Sequence, residues 1–272
     1  MSPSDADRLS GLAEWLRCPV CGEPLEPAGR LRLACALAHS FDVNKRGYVT
    51  LLAAGTKFKG DSAAMLDARD AVLESGAYAP IAAAVARAAT GTRILDAGAG
   101  TGYYLRAALA EHPDAHGLAM DLSPAAVGRA ARSSDRIHGL VADTWQPLPV
   151  RTAAADSVID VFAPRNLPEF HRVLRPGGTL VVVVPRADHL AELRATGAML
   201  DVPADKADEL ITTAEPLFAL QTREHITKAL ALDPELLAAL VGMGPSAHHA
   251  RSTPPDDVLT ATVSVDVLRF TR

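Results

Sequence analysis

Between Arg93 and Val184, short apolar runs take turns with stretches whose apolar residues recur every three or four positions. The runs predict strands over Arg93–Asp96, His116–Met120, Ile137–Val141, Ser157–Phe162 and Thr179–Val184. The periodic stretches between them predict helices over Tyr103–Glu111, Pro124–Arg132 and Leu167–Leu174. "GGTLVVVV" is apolar at nearly every step, the pattern of a strand covered on both faces. Strand–helix alternation of this kind predicts an α/β fold with a doubly wound, mostly parallel sheet. Upstream, "SAAMLDARDAVLESGAYAPIAAAVARAAT" keeps helical spacing but is interrupted at Gly76 and Pro80, which predicts two helices. Segments beginning at Leu217 and Leu259 are candidates for closing strands.

The first fifty or so residues follow a different logic. All three cysteines of the chain fall here, as Cys18-x2-Cys21 and, thirteen residues on, Cys35-x3-His39. Core thiols would scatter along the sequence, and these do not. A CxxC turn shaped by Pro19 and Gly22 sets two thiolates side by side, and the alternating "RLRLAC" predicts a strand that returns with the second pair. Cys18, Cys21, Cys35 and His39 thus form a Cys3His ligand set that leaves no coordination position open, so a bound Zn²⁺ is expected to be structural. The stretch holds few apolar residues of its own, and the metal is expected to fold it. A redox CxxC would open a helix in a βαβ setting, which is missing here.

Composition narrows the class. Of 272 residues, 49% are apolar, enough for a sizeable core, and the length suits one large domain with a small appendage. No apolar run reaches the roughly eighteen residues of a membrane span. "MSPSDADRLSGLAEWLRC" lacks the apolar centre of a secretory signal, so a cytoplasmic location is predicted. The net charge of −5 gives no global case for nucleic acid. Locally the balance reverses: Arg30, Arg32, Lys45, Arg46, Lys57 and Lys59 face a single acid, Asp42. Such a patch can bind phosphates, with Tyr48 or Phe58 available to stack on a base; the competing reading is a solvated surface.

Candidate chemistry gathers at the ends of the predicted strands. "ILDAGAGTGYY" places Asp96, Gly98, Gly100, Thr101 and Gly102 between the first strand and the first helix of the alternating region. Glycines there let backbone approach a ligand where a Cβ would intrude. The D-x-G-x-G-x-G spacing differs from the G-x-G-x-x-G of dinucleotide enzymes and resembles the S-adenosylmethionine loop of Rossmann-like methyltransferases. Asp121, with Leu122 beside it, ends the second strand, where a carboxylate can accept both ribose hydroxyls. Asp143, with Thr144 beside it, follows the third. By the same resemblance Asp143 lies beside the adenine amino group and Asp96 near the methionine amine. Any one of these acids alone would read as a cap or a solvated strand end; three at successive strand ends do not.

A Cys3His ribbon placed before such a region is unusual. With "CPVC", "CALAHSFDVNKRGYVTLL", "GDSAAMLDARDAVLESGAYAPI", "ILDAGAGTGYY", "FAPRNLPEFHRVLRPGG", "PRADHLAEL" and "GMGPSAHH", the chain resembles the bacterial 23S rRNA (guanine-N1)-methyltransferase family. "VFAPRN" and "MGPSA" look most like its Gram-positive branch, which includes tylosin- and mycinamicin-type macrolide-resistance enzymes. The resemblance implies a zinc-ribbon RNA-recognition domain over 1–52, linker and helices over 53–91, and a Rossmann-like S-adenosylmethionine-dependent methyltransferase domain over 92–272. It implies methylation of N1 of a guanine in the helix 35 hairpin of 23S rRNA domain II, at a 748-type rather than a 745-type position, and a homodimer. It also implies cofactor contacts for Tyr78 and His189, which the residues alone would not single out.

N1 of guanine carries a proton and is normally paired, so the base is expected to be flipped or looped out. The fourth strand end, "DVFAPRN", is where such enzymes place the target. Arg165 is a candidate donor to O6, Asn166 a candidate to hold the base edge, and Asp160 the nearest acid. The plainer reading of "PRN" is a turn with Asn166 capping the next helix. Two alternatives stand beside this function: a small-molecule S-adenosylmethionine-dependent methyltransferase, and a non-catalytic zinc-ribbon RNA-binding adaptor.

Overall fold

A computed structural model describes residues 5–52, 61–197, 205–243 and 260–272. The N-terminal part runs through α1 (Asp5–Ala13), β1 (Glu26–Pro27), β2 (Arg32–Ala34), β3 (Ser40–Asn44) and β4 (Tyr48–Thr50). Helices α2 (Ala63–Glu74) and α3 (Ala79–Ala88) follow. The alternating region comprises β5 (Arg93–Ala97), α4 (Tyr103–Glu111), β6 (His116–Asp121), α5 (Pro124–Arg132), β7 (Ile137–Val141), β8 (Ala155–Val161), α6 (Leu167–Val173) and β9 (Leu174–Pro185). The C-terminal part adds α7 (Ala191–Ala195), α8 (Lys206–Ala214), β10 (Ala219–Ala231), α9 (Pro234–Gly242) and β11 (Thr260–Thr271).

Among the described residues the strands form one sheet in the order β1-β2-β3-β4-β7-β6-β5-β8-β9-β11-β10. From β4 to β9 the pairs are parallel; β11 runs antiparallel to β9, and β10 antiparallel to β11. The expected closing strands are therefore present. Helices begin where short polar side chains can satisfy free backbone donors. Ser62, Ser123 and Asp233 accept the N–H of Met65, Ala126 and Leu236, and proline sits in the first turn of α5 and α9.

β9 shows why its sequence lacks alternation. Leu180, Val182 and Val184 enter the core on one face of the sheet, while Val181 and Val183 enter the core on the other. Each such side chain contributes roughly 1.5–3 kcal/mol relative to exposure. β9 also begins at Leu174 instead of Thr179, because Leu174 pairs with Ala155 across a register shift and Arg272 N–H donates to Gly178. The stretch between the predicted helix and strand is thus a bulged strand start, with Gly177 at φ +75° supplying the left-handed residue.

The ribbon does not stand apart. Trp15, Leu16, Leu25 and Leu33 are buried in the same core as Leu95, Leu118 and Leu140 of the parallel sheet. Arg17 N–H donates to Pro149, and Arg151 donates to Leu16 and Leu25. β4 extends the sheet beside β7. The expectation that the metal alone makes up for the few apolar residues of this stretch is therefore incomplete: the stretch also completes its core against the parallel sheet. Helix α1, which sequence reasoning missed, covers the same face through Leu9 and Leu12.

Candidate active site and metal centre

Cys18, Cys21, Cys35 and His39 converge, with one ligand atom from each lying within 4.8 Å of the others. Cys21 Sγ is 3.6 Å from Cys35 Sγ, and His39 Nδ1 is 3.6 Å from Cys18 Sγ and 3.4 Å from Cys35 Sγ. Tetrahedral zinc with ordinary Zn–S and Zn–N bonds has ligand–ligand edges of about 3.4–3.8 Å. The donor set and its spacing fit a closed structural zinc site.

Asp96, Asp121 and Asp143, expected at the cofactor, lie at or just past the C-terminal ends of the parallel strands β5, β6 and β7. The glycine loop approaches its neighbours too closely for side chains. A Cβ on Gly98, at φ +82°, would lie 2.4 Å from the Cβ of Ala163, and one on Gly102, at φ +81°, 2.9 Å from that of Ala130. The first of these brings the loop directly against the "FAPRN" turn. Asp121 anchors the loop: its Oδ2 accepts the N–H of Gly100 at 2.9 Å and its Oδ1 that of Ser123 at 2.8 Å. Each oxygen keeps further lone-pair capacity for a ribose hydroxyl. Asp143 Oδ1 accepts the N–H of Trp145 at 2.9 Å, which leaves Oδ2 for a donor such as an amino group.

Tyr78, Gly98, Gly100, Thr101, Tyr104, Phe162 and His189 line a cavity of about 250 Å³. Three buried polar atoms in and beside it lack a hydrogen-bond partner: Tyr78 OH, Thr101 Oγ1 and Asp96 Oδ2. Asp96 is 1% exposed, and burial together with the neighbouring Asp121 charge pushes its carboxyl up to about 8. Burial also raises the Tyr78 phenol, so it stays protonated and able to donate. An acid with one free oxygen, a phenol and a hydroxyl around one cavity suit a zwitterionic amino-acid end, so the residues present fit S-adenosylmethionine. His189 Nδ1 accepts the N–H of Ser264, and burial drives its imidazole down to about 4. The ring is neutral at pH 7 with its proton on Nε2.

Sequence reasoning missed two residues of this site. Phe162 lines the cavity with its backbone at φ +55°, a region bulky side chains avoid at a cost of about 1–3 kcal/mol. Its ring stands 6.1 Å from Tyr78 and 5.7 Å from His189. It lay within the quoted "DVFAPRN", but strain has no sequence signature. Arg69, on α2, lies over Gly100 and is held by Asp61 at 2.6 Å and by the carbonyl of Met243. A helix-surface arginine gives no signal in sequence.

The fourth strand end corrects two expectations. Asp160 shares the face of β8 that carries Val158, opposite Val161, which lines the cavity. It is fully buried and lies 3.5 Å from Arg165 Nε, so it faces the guanidinium instead of the site. Asn166 acts as the cap: its Oδ1 accepts the N–H of Glu169, and its Nδ2 donates to Thr144 and Gln146. Both ends of that amide are engaged, so it does not hold a base edge. Arg165, whose Nε lies against Asp160, keeps its side chain partly exposed.

The basic residues divide. Arg30, Lys45 and Arg46 line one open groove, while Arg32 pairs with Asp42 at 3.3 Å. The turn bearing Lys45 and Arg46 precedes β4, whose Tyr48 is level with Gly139. That turn therefore lies near the end where the parallel strands start, away from the glycine loop. Lys57, Phe58, Lys59 and the "GPSAHH" of the last motif lie outside the described residues.

Comparison with known proteins decides the family. Residues 16–58 match the N-terminal zinc-ribbon family of RlmA, and residues 94–178 match a methyltransferase domain family. A 23S rRNA (guanine(748)-N(1))-methyltransferase of Streptomyces fradiae is 44% identical, covering 88% of this chain and 87% of the relative. The chain belongs to the 23S rRNA (guanine-N1)-methyltransferase family. A Micromonospora griseorubida protein named for the same reaction is 41% identical over 95% of this chain and 98% of its own. Among solved structures, the complex of the Haloferax volcanii Trm112 activator with a methyltransferase aligns at TM-score 0.53 and 20% identity, covering 79% of this chain and 98% of that one. The [4+2]-cyclase SpnF aligns at 0.50 and 17%, covering 76% and 93%. These two likenesses concern the fold alone, and SpnF is a reminder that the fold does not fix the reaction. Membership in the family makes the chain an S-adenosylmethionine-dependent enzyme with a structural zinc ribbon, so neither a small-molecule methyltransferase nor a non-catalytic adaptor is favoured. Among the described residues no helix is long and apolar enough to cross a membrane.

Proposed function

We propose that the chain methylates N1 of one guanine in the helix 35 hairpin of 23S rRNA domain II, at the 748-type position, and so protects ribosomes from macrolides of the tylosin and mycinamicin type. The observation that carries this reading is the 44% identity, over nearly the whole length of both chains, to a relative named for guanine 748. The cofactor, when bound, supplies a sulfonium methyl as electrophile. Asp96 takes its ammonium, and His189 Nε2–H and Tyr78 OH donate toward its carboxylate end. Asp121 accepts from the ribose and Asp143 from the adenine amino group. Gly98 against Ala163 sets the donor loop beside the turn that carries Arg165. Arg165, oriented by buried Asp160, stabilises the charge that gathers on O6 as the N1 proton passes to solvent water and N1 takes the methyl group.

Residues 1–52 form the RNA-recognition unit and 92–272 the transfer unit of this proposal, with residues 53–91 joining them. The groove of Arg30, Lys45 and Arg46 contacts phosphates distant from the target base. A cytoplasmic homodimer presenting two ribbons to one RNA completes the reading. Primer extension on a helix 35 transcript treated with protein and S-adenosylmethionine tests it. N1 methylation blocks pairing, so a reverse-transcriptase stop at a single guanine is expected, and an unaltered extension product refutes it.

A further inference from the structure

The chain is poor in aromatic residues, and of its two tryptophans one, Trp15, is fully buried. The other, Trp145, is 61% exposed. Single exposed apolar side chains are common on protein surfaces, but this one is carried on a fixed backbone beside the site. Its own N–H is held by Asp143 Oδ1, and Gln146 N–H donates to the carbonyl of Asp143. On either side of it, the carbonyls of Thr144 and Gln146 accept from the Asn166 amide. Further along, Leu148 N–H donates to Glu169, and the Leu148 carbonyl accepts from Arg17 and Arg172. The backbone is thus fixed from three sides while the indole is left in solvent.

Its position is specific. Trp145 follows β7 at the end of the sheet that carries Asp96, Asp121 and Asp143. The Asn166 bonds tie it to the turn that carries Arg165. From there the chain passes into the segment where Val150 bridges antiparallel to Leu16, so it leads from the methyl-transfer end of the sheet toward the zinc ribbon. A rigid, planar, exposed ring between a cofactor pocket and a zinc ribbon suits one class of ligand. Every nucleobase offers a π-face, and stacking on an aromatic side chain is worth about 1–3 kcal/mol per base.

We propose that Trp145 is the platform on which an unpaired base of the substrate RNA stacks when the target guanine enters the site; this rests on the function proposed above. Asn166 is then a positioning residue, holding the loop that presents the indole.

The test uses the full chain and the helix 35 transcript. Trp145→Ala is expected to raise the KM for RNA by about tenfold or more, Trp145→Phe to restore most of the loss, and S-adenosylmethionine affinity by calorimetry to stay unchanged in both. In the wild type, RNA is expected to shield the long-wavelength emission of Trp145 from acrylamide, while the buried Trp15 remains unaffected. An unchanged KM in Trp145→Ala overturns the proposal. So does shielding by S-adenosylmethionine alone, which would mean that the indole stacks on the cofactor, or shielding that follows protein concentration without RNA, which would mean a second copy covers it. Wild-type methylation of the transcript in the same assay separates failure here from failure of the proposed function: with methylation intact, only the role of Trp145 falls. Should methylation be absent, shielding by RNA still decides whether the indole meets a base.

Discussion

The N–H of Ser264, on β11, donates to Nδ1 of His189 at 3.2 Å, and this one bond fixes which ring nitrogen carries the proton. The acceptor is Nδ1, so Nε2 is the donor. Burial keeps the ring neutral, near a pKa of about 4. His189→Gln retains an amide donor without a titrating ring, whereas His189→Ala removes the donor. S-adenosylmethionine binding, measured calorimetrically, is expected to weaken on the order of tenfold in the alanine variant and less in the glutamine variant.

His189 and His138 also set a pH window for stability. Both are buried, and both are lowered from 6.5 to about 4. Between those values the unfolded chain binds protons that the folded chain refuses, so stability rises with pH across the window and is lost as pH falls from about 6.5 toward 4. Because the raised carboxyl of Asp96 acts in the opposite sense over the same range, the histidine contribution is read as the difference in urea midpoints between the wild type and a His138 variant, which is expected to grow as pH falls. His138→Gln, whose side chain lies outside the cofactor cavity, is expected to flatten the curve by about 1–3 kcal/mol at the acid end.

Asp96 behaves in the opposite sense. Its pKa rises from 3.8 to about 8, so the folded chain holds a proton that the unfolded chain has released, and this site costs stability as pH climbs from about 4 to about 8. An ammonium group brought against it favours the ionised form. S-adenosylmethionine binding at pH 7 is therefore expected to release up to about one proton. Titrations in buffers of different ionisation enthalpy read this directly. Asp96→Asn is expected to abolish the buffer dependence and to weaken binding about 10–100-fold, without loss of folding stability.

The shared core changes what zinc removal should do. Cys18 and Cys35 are buried in the same cluster as Leu95 and Leu118, so the ribbon cannot loosen without exposing the sheet. Cys35→Ser, or chelation, is expected to release about one zinc per chain, lower the melting temperature by several degrees and abolish RNA methylation. S-adenosylmethionine binding below the lowered melting temperature is expected to persist. Metal content, thermal unfolding and calorimetry check the three parts.

Asn166→Ala separates capping from catalysis. The lost cap and loop bonds are expected to cost about 1–2 kcal/mol in chemical denaturation. Methylation is expected to fall through the KM for RNA more than through S-adenosylmethionine binding, which calorimetry reads separately because the released loop also carries Asp143.

Much of this molecule was legible from residue types and spacing. The parallel strands show as apolar runs, the metal set as four ligands at knuckle spacing, and the methyltransferase domain as strand–helix alternation with a glycine loop after its first strand. What escaped is what spacing does not encode. The direction of Asp160 depends on which face of β8 the cavity occupies, and period-two alternation leaves that choice open. The amide of Asn166 could have met a base or a backbone, and only the approach of Thr144 and Gln146 decides. Helix α1 and the merged core were hidden because the ribbon finds its apolar partners far away in sequence, on strands such as β6 and β7.

The most direct measurement is mass spectrometry of nuclease fragments and nucleosides from 23S rRNA incubated with the protein and S-adenosylmethionine. The expected result is one added methyl, recovered as 1-methylguanosine, in the fragment that carries the helix 35 loop. Methylation of another nucleotide or another atom, or an unmodified fragment from zinc-loaded, cofactor-binding protein, would contradict it.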